Sequence, residues 1–322
     1  MQAVILAAGR GKRLRPVTDG RSKAMAPVVG TPLVELALAP LVESGVQEVV
    51  MVVGPDDEEI REHFSERSQL AVSIQWVTQE KRLGMAHALL QAAHLLHGPF
   101  FVTACDSLVS TPHVRDLLTA VRDADSVLSL LDVEPHLVSR SAAVELDGNV
   151  VRRIVEKPTL VEAPSNTVSL PHYVLSPQLV PLLSELSRSE RGEFELQEAI
   201  QQHIDAGARV VGVRAMERVQ VSSPADLLGL NLRTMREGSG LKVELPPKVK
   251  SESRITQPVR IEEGATVGLG CTLGPEAFLE SGCVVGDRTN VRGSMVLRGA
   301  RVPADQKVID SVVVRSSSDP VQ

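Results

Sequence analysis

Aromatic side chains are scarce in this chain of 322 residues: they make up 2% of it, as five Phe, Trp76 and Tyr173. Proteins that bind single-stranded nucleic acids stack the bases on such rings. Basic residues are also in the minority, since 34 Lys and Arg stand against 40 Asp and Glu for a formal net charge of −6. We therefore expect no nucleic-acid partner, because that binding needs a concentrated positive surface.

Cysteines are few and long apolar runs are lacking. Cys105, Cys271 and Cys283 are odd in number and show no C-x-x-C spacing, which disfavours a disulfide framework or a zinc site. We expect reduced thiols in a cytoplasmic protein. The first apolar run, residues 3–8, has no basic flank before it and ends at Gly9, so it predicts a core strand and not a signal peptide. No stretch approaches the roughly 20 apolar residues of a membrane span, and we expect no membrane association.

Up to about residue 236 the sequence alternates short apolar runs with amphipathic stretches. Four β-branched runs, at 3–8, 48–53, 72–77 and 99–104, alternate with helix-like segments at 32–44, 56–68 and 84–97. Further strands are predicted at 126–131, 143–147, 150–155, 168–175 and 208–213, and further helices near 176–187, 195–206 and 223–236. Such alternation predicts an α/β domain over 1–236 with a Rossmann-like mixed, mainly parallel sheet.

A six-residue repeat dominates the C-terminal part of the chain. Its aliphatic positions are Ile255, Ile261, Val267, Leu273, Leu279, Val285, Val291 and Leu297. A mostly small side chain stands two residues before these positions, and Cys271 and Cys283 are two examples that we expect to pack inside. The period predicts a left-handed parallel β-helix over 255–314, with its register slipping near Val302. Segment 237–254 is expected to be a linker and 315–322 a tail.

A loop rich in glycine and basic residues, Gly9-Arg10-Gly11-Lys12-Arg13-Leu14, follows the first predicted strand directly. Glycines let backbone N–H groups approach a phosphate chain, and the basic side chains neutralise it. A dinucleotide-binding fold needs a third glycine, which this loop lacks, and an acidic residue where the second strand ends in Gly54-Pro55. The loop therefore indicates phosphate binding but not a dehydrogenase.

The motifs around this loop resemble those of the sugar-1-phosphate nucleotidylyltransferase family. They are the loop itself, then Ser22-Lys23-Ala24-Met25-Ala26-Pro27, Gly30-Thr31-Pro32-Leu33, Gln79 with Gly84-Met85-Ala86-His87-Ala88, Asp106, Glu156-Lys157-Pro158, Asn166 and Gly192-Glu193-Phe194-Glu195-Leu196, in the family's order. The resemblance implies a nucleotidyltransferase domain followed by the β-helix, which is a common appendage in that family. It also implies the reaction of a nucleoside triphosphate with a sugar-1-phosphate, with Mg²⁺ as cofactor.

The resemblance further implies individual roles. The nucleotide would be held by Leu6, Ala7, Ala8, Gly9, Gly11, Arg13, Gln79 and Gly84. Of these, Leu6 to Gly9 and Gln79 would hold the nucleoside, with the Gln79 amide reading a pyrimidine-type base edge so that UTP or dTTP is favoured. Arg13 would clamp the triphosphate, Lys23 would bridge the reacting phosphates, and Asp106 would hold Mg²⁺. Glu156 and Asn166 would contact sugar hydroxyls, and Lys157 the sugar phosphate.

One departure from the family pattern leaves an alternative open. Gln220 stands where the family has its second metal ligand, and an amide oxygen can coordinate Mg²⁺ but brings no charge. A catalytically weakened paralogue that binds a nucleotide-sugar and regulates a partner is therefore the rival hypothesis. Acyl transfer by the β-helix is disfavoured, because all eight His lie at or before His203 and that chemistry needs a His base. The flat β-helix faces instead favour a homo-oligomer.

Overall fold

The computed structural model describes residues 1–238 and 253–316, which divide into two compact units. Unit 1 comprises residues 1–10 and 33–220, and unit 2 comprises 11–32 and 221–322. The helices are α1 Leu33–Glu43, α2 Glu58–Glu66, α3 Met85–Ala92, α4 Thr111–Ala120, α5 Leu196–Asp205 and α6 Pro224–Glu237. The strands are β1 Gln2–Leu6, β2 Pro27–Val28, β3 Thr31–Pro32, β4 Glu48–Val53, β5 Ser73–Thr78, β6 Phe100–Ala104, β7 Ser107–Leu108, β8 Ser126–Asp132, β9 Ala142–Asp147, β10 Val150–Glu156, β11 Thr167–Leu175, β12 Val210–Arg214, β13 Val219–Gln220, β14 Arg254–Ile255, β15 Val259–Ile261, β16 Thr266–Val267, β17 Thr272–Leu273, β18 Ala277–Leu279, β19 Val284–Val285, β20 Asn290–Arg292, β21 Ser294–Val296, β22 Arg301–Val302, β23 Lys307–Ile309 and β24 Val312–Val313.

Nine strands of unit 1 form one mixed sheet in the order β5-β4-β1-β6-β11-β8-β12-β10-β9. The pairings make β11 and β10 run opposite to the other seven strands. The four parallel neighbours β5, β4, β1 and β6 are joined in sequence through α1, α2 and α3, as crossover connections require. The expected mixed, mainly parallel α/β sheet is confirmed.

Apolar side chains fill both faces of this sheet. β1 is buried along its whole length and lies between β4 and β6. Its neighbours in the core include Val50, Val102 and Leu89 of α3. The carboxyl ends of parallel strands open at one edge, which is where α/β sheets of this kind bind ligands. The sheet therefore presents the residues that follow β1, β5 and β6 at a single edge.

Two local predictions in unit 1 differ from the structure. The helix expected near 176–187 is instead a pair of short 3-10 turns, Pro177–Leu179 and Pro181–Ser184, because prolines four residues apart prevent a regular α-helical hydrogen-bond series. The alternation did not predict α4. Its signal is local, since the Ser110 hydroxyl caps the helix by accepting from the His113 amide and Pro112 lies in the first turn.

The repeats of unit 2 form three stacks of parallel strands. The stacks are β14-β17-β20-β23, β15-β18-β21-β24 and β16-β19-β22, and they are consistent with the left-handed β-helix that the six-residue period predicts. Cys271 and Cys283 are buried in its interior, as expected from their position in the repeat.

The register of the repeat changes one step earlier than the sequence predicted. Ile255 pairs with Leu273 and Leu273 with Val291, two steps of 18 residues, but Leu279 pairs with Val296, a step of 17. Val296, and not Leu297 as predicted, thus occupies the aliphatic position of the repeat above Leu279. The step of 17 residues could not be recognised from the sequence, because Val296 and Leu297 are both aliphatic and both buried.

Helix α6 of unit 2 packs on one stack of the β-helix. Phe278 of β18 and Met295 of β21 alternate with inward residues, yet both are completely buried, and α6 lies against β21 and β24. A capping box between Ser223 and Asp226 begins α6. Most of the predicted linker over 237–254 and tail over 315–322 lies outside the described residues, and the predicted domain boundaries stay predictions.

Candidate active site

The carboxyl end of β1 leads into the predicted nucleotide loop. Leu6, Ala7 and Ala8 are buried, whereas Gly9 is exposed. The Ala7 N–H donates to the Val52 carbonyl at 2.8 Å, which continues the β1–β4 ladder by one residue. The loop thus leaves the sheet at the edge where α/β sheets of this kind bind ligands.

Arg82 is a residue of this region that sequence reasoning missed. Its Nε donates to the Ala8 carbonyl at 2.5 Å, so the guanidinium holds the nucleotide loop from outside the sheet. The nearby Asp57 accepts from the Gly54 N–H at 2.7 Å. The available signal was the position of Arg82 between Gln79 and Gly84, both of which were predicted to bind the nucleotide.

The Gln79 side chain has a fixed orientation. It follows β5 and is 4% exposed, and its Nε2 lies 3.2 Å from the Gly84 carbonyl oxygen and 3.0 Å from His87 Nδ1. An amide nitrogen only donates, so His87 Nδ1 accepts and the ring is neutral. Burial, and then the charge of Arg188, lowers the pKa of His87 and favours that neutral form. Rotating the amide would set two carbonyl oxygens against each other, so Oε1 is the atom left to read a ligand.

Gly84 is required by close packing in the same place. Its φ of 103° is in a region that side chains rarely adopt, and a Cβ there would lie 2.6 Å from the Phe194 carbonyl oxygen. The Phe194 N–H donates to the Leu83 carbonyl at 2.8 Å, and the Phe194 ring stacks on His87. The predicted segments 79–88 and 192–196 are therefore brought together.

Asp106 follows β6 and sits between two anchored residues. Thr103 Oγ1 lies 2.8 Å from His172 Nδ1, and Ser107 Oγ lies 3.1 Å from His172 Nε2. A register shift in β11 between Leu170 and Tyr173 brackets His172 and gives it this position. Burial, and then the neighbouring His113, lowers the pKa of His172 to about 3. A neutral imidazole therefore bridges the strand before Asp106 to the strand after it.

Gln220 lies opposite Ser107, the residue after Asp106, but its side-chain oxygen already accepts hydrogen bonds. β7 and β13 pair antiparallel with Ser107 opposite Gln220. Gln220 Oε1 accepts from Arg218 Nε at 3.1 Å and also from Arg218 Nη2. Arg218 Nη1 in turn donates to Ser141 Oγ at 2.7 Å. The atom that would coordinate a metal thus faces a guanidinium, and the assignment of Gln220 as a ligand stays a prediction.

A divalent metal fits this region through Asp106. Among residues 1–238 and 253–316, no group of three or more His, Cys, Asp or Glu could hold a metal by itself. Mg²⁺ does not need such a group, because it is commonly bound through one or two carboxylates together with substrate phosphates and waters. The half-buried Asp106 carboxylate, at the carboxyl end of a parallel strand, suits that arrangement.

The residues predicted to bind the sugar phosphate lie at the end of β10 and before β11. Lys157 Nζ is 3.5 Å from Glu156 Oε1, and Arg191 Nη2 bridges Glu156 Oε1 at 3.1 Å and Glu195 Oε1 at 2.7 Å. Arg191 was not among the predicted residues, although it stands directly before the Gly192–Leu196 motif. Asn166 is exposed, and its backbone carbonyl accepts from the Val133 N–H at 3.0 Å. Glu156 and Lys157 are brought together.

Three predicted phosphate-binding residues belong to unit 2. Arg13 is exposed in the 3-10 turn Lys12–Leu14, whose Leu14 is buried. Lys23 begins another 3-10 turn, Lys23–Met25, and is 8% exposed. Gly11 lies against Lys23, since a Cβ on Gly11 would be 2.9 Å from Lys23 Cβ. Unit 2 thus brings Gly11 and Lys23 together.

These features define an α/β domain with a basic glycine-containing loop, a buried amide and a carboxylate at one end of a mixed sheet. A family model described as nucleotidyl transferase matches residues 2–218. The chain therefore belongs to the nucleotidyl transferase family, as the resemblance implied. Members of this family generally use a divalent metal.

Named relatives extend over most of the chain. The bifunctional protein GlmU of Methanococcus maripaludis is 29% identical over 333 residues, covering 97% of this chain and 77% of the relative. The UTP–glucose-1-phosphate uridylyltransferase AglF of Haloferax volcanii is 32% identical, covering 70% of this chain and 93% of the relative. A glucose-1-phosphate thymidylyltransferase of Streptomyces griseus is 29% identical and covers 98% and 92%.

Solved structures support the fold. A UDP-glucose pyrophosphorylase from Acinetobacter baumannii has a TM-score of 0.66 at 23% identity, covering 74% of this chain and 95% of that chain. A UDP-glucose pyrophosphorylase complexed with UDP-glucose gives the same TM-score at 22% identity. Within the described parts of the chain, no helix has the length and apolar character needed to cross a membrane.

Proposed function

We propose that the protein transfers a nucleotidyl group to a sugar-1-phosphate. An oxygen of the sugar-1-phosphate forms a bond to the α-phosphorus of the nucleoside triphosphate, the bond between that phosphorus and the bridging oxygen breaks, and pyrophosphate leaves. The observation that carries the proposal is the common edge of the sheet, where Leu6 ends β1, Gln79 follows β5 and Asp106 follows β6. Enzymes of phosphoryl chemistry gain most of their rate from positioning and charge neutralisation, and these residues suit both tasks.

Arg13 and Lys23 supply positive charge for the phosphates in this proposal. Arg13 is exposed and can follow the triphosphate, whereas the Lys23 ammonium is largely shielded from water, which strengthens its attraction for a phosphate. Mg²⁺, held by Asp106 and phosphate oxygens, would neutralise charge on the α-phosphate and the leaving pyrophosphate. Asp106 is kept in place for this by the Thr103–His172–Ser107 bridge.

The orientation of Gln79 supports UTP or dTTP as the nucleotide. Gln79 Nε2 donates to Gly84 and His87, and Oε1 accepts nothing from the described residues, so it is offered to a donor. Uracil and thymine present an N–H donor at ring position N3 of their pairing edge, whereas N3 of cytosine is an acceptor. An acceptor facing an acceptor leaves a buried polar atom unpaired, which costs about 1–3 kcal/mol. Guanine also presents an N–H on that edge, so GTP is included among the test substrates.

Glu156 and Lys157 support the sugar-phosphate end of the reaction. Glu156 Oε1 is engaged by Arg191 and Lys157, so Oε2 is the oxygen offered to a sugar hydroxyl. Lys157 has a positive φ of 43°, a conformation that directs its exposed side chain away from the extended path of β10. We assign Lys157 to the sugar phosphate and Asn166 to a sugar hydroxyl.

The test is pyrophosphate release from a panel of nucleoside triphosphates and sugar-1-phosphates with Mg²⁺. We expect release with at least one pairing, and with UTP or dTTP before CTP or ATP. Asp106→Ala should abolish turnover. Asp147→Ala, which removes an exposed carboxylate from the end of β9, is the matched control and should keep it. Turnover by Asp106→Ala at the wild-type rate would contradict the metal role.

The regulatory paralogue is the second candidate, and the Arg218 guanidinium on Gln220 Oε1 is the observation that favours it. A fixed cation at the second metal position would weaken metal binding by charge repulsion. This candidate predicts nucleotide-sugar binding by calorimetry without pyrophosphate release from any pairing. Release by the wild-type protein would exclude it.

We also propose a cytoplasmic homo-oligomer. The three cysteines, all within the described residues, are buried and form no disulfide, which suits a reducing compartment. The β-helix offers flat strand faces for assembly. Light scattering should give a mass that is a multiple of the 34.6 kDa chain, and the chain mass itself would contradict the oligomer.

A further inference from the structure

We infer that the β-helix holds the phosphate-binding segment 11–32 in place, and that Glu280 is a positioning residue for Lys23. The inference rests on the proposed role of Lys23. It concerns unit 2 alone, in which segment 11–32 packs with α6 and the β-helix. In this arrangement the β-helix is more than an assembly module.

The first anchor is a buried ion pair between Arg21 and Glu280. Arg21 Nη1 and Nη2 lie 2.7 Å and 2.8 Å from the two oxygens of the Glu280 carboxylate, and the side chains are 6% and 11% exposed. Glu280 Oε2 also accepts from the Arg298 N–H at 2.7 Å. Arg298 Nη2 reaches the Gly20 carbonyl at 3.4 Å. Two successive residues of the segment, 20 and 21, are therefore tied to the β-helix coil.

The second anchor is the amide of Asn231 on α6. Asn231 is fully buried; its Oδ1 accepts from the Val29 N–H at 2.8 Å, and its Nδ2 donates to the Pro27 carbonyl at 3.1 Å. Nδ2 also lies 3.1 Å from the Leu227 carbonyl of the same helix. The Asn231 side chain thus holds the backbone at the start of β2, at Pro27, and directly after its end, at Val29.

Lys23 lies between the two anchors. It comes two residues after Arg21 and four before Pro27, and Gly11 packs against it. Because both ends of this stretch are fastened, the Lys23 backbone has little room to shift relative to unit 2. A misplacement of about 1 Å in a positioning group can cost on the order of 100-fold in rate. The anchors therefore matter for turnover as well as for folding.

Burial separates this ion pair from the surface pairs of the β-helix. Arg288 and Asp305 form the same two-pronged contact at 2.7 Å, but their side chains are 62% and 63% exposed and both belong to the β-helix. Exposed pairs contribute little, whereas removing one partner of a buried pair leaves an uncompensated charge. Asp305→Asn is therefore the matched control for Glu280→Gln.

Hydrogen exchange tests the anchoring without reference to activity. In the full-length chain, Glu280→Gln should speed amide exchange in residues 11–32 by about 100-fold while the β-helix stays protected, and Asp305→Asn should leave residues 11–32 unchanged. Unchanged exchange in Glu280→Gln would overturn the inference.

Kinetics test the link to catalysis. Once the wild-type protein has shown pyrophosphate release, Glu280→Gln should lower kcat by about 10- to 100-fold, and Asp305→Asn should not. A wild-type kcat in Glu280→Gln would overturn the positioning role. Absence of release by the wild-type protein would instead refute the proposed function, and the exchange result would still decide the anchoring.

A second variant covers the case in which Glu280→Gln unfolds. The double variant Arg21→Gln/Glu280→Gln leaves no unpaired buried charge, and the two amides can still bond to each other. We expect it to fold, to exchange faster than wild type in residues 11–32, and to lower kcat. Wild-type exchange and kcat in the folded double variant would overturn the inference.

Discussion

Acid should destabilise unit 1 through one buried imidazole, that of His172. Its pKa lies at about 3 in the folded protein because burial, and then His113, disfavour the charged ring. In the unfolded chain the value is the ordinary 6.5. Between these two values the unfolded state binds one proton more than the folded state, so stability is intact above pH 6.5 and falls as the pH drops towards 3. The whole window corresponds to roughly 5 kcal/mol, at about 1.36 kcal/mol per unit.

Urea unfolding can measure this loss in unit 1 by itself, because Trp76 on β5 is the only tryptophan of the chain. The His172 contribution amounts to about 2 kcal/mol between about pH 7.5 and 5. His172→Gln removes the titrating ring, so its free energy of unfolding should fall by about 2 kcal/mol less than that of wild type over the same pH interval. The variant is less stable than wild type at about pH 7.5, because two buried hydrogen bonds are altered.

The control for this experiment is His136→Gln, which replaces an exposed imidazole in the turn Pro135–Arg140. It should keep the wild-type pH dependence, because it leaves the buried ring of His172 in place. Comparing each variant with wild type cancels the contributions of the other histidines. An equal fall in the free energy of unfolding of wild type and His172→Gln as the pH drops would refute the reasoning.

Three further changes test other parts of the site. His87→Ala removes one partner of Gln79 Nε2 and should weaken UTP binding by about 1 kcal/mol, roughly fivefold in Kd by calorimetry, while narrowing the preference for UTP over CTP. An unchanged preference would contradict the orienting role of His87. Gly84→Ala places a Cβ 2.6 Å from the Phe194 carbonyl oxygen and should lower the free energy of unfolding, measured with urea, by about 1–3 kcal/mol. An unchanged free energy of unfolding would contradict the close packing. Arg218→Ala removes the guanidinium from Gln220 Oε1 and should lower the Mg²⁺ concentration at half-maximal rate about two- to tenfold; an equal or higher requirement would contradict Gln220 as a metal ligand.

The architecture could be predicted because its signals are periodic and local. Inward aliphatic residues recur through the β-helix, and the buried strands of the parallel part appear as short apolar runs. What failed was also local. The shortened coil before Val296 is masked by Leu297, and the prolines at 177 and 181 break a stretch whose apolar content suggests a helix. The missed helix α4 carried a capping signal that the alternation pattern does not use.

The candidate site was predictable in its residue types but not in its contacts. Gln79, Asp106 and Glu156 were singled out by motif, but Arg191, which contacts Glu156, and His172, which bridges Thr103 and Ser107 on either side of Asp106, come from distant parts of the sequence. Arg82 reaches Ala8 across 74 positions. Arg218 is the exception, because residues two apart on an extended segment share a face, and Gln220 is two residues further on.

The division of unit 2 shows why a boundary drawn along the sequence differs from one drawn by contacts. The expected domain of residues 1–236 includes segment 11–32, but the Glu280 carboxylate that anchors Arg21 lies 259 positions away in the β-helix. A chain cut at residue 236 would keep Arg13 and Lys23 while leaving the buried Arg21 guanidinium without that carboxylate. An uncompensated buried charge is strongly destabilising. Loss of activity on such truncation would therefore follow from the release of segment 11–32, even though the β-helix contributes none of the residues assigned to the reaction.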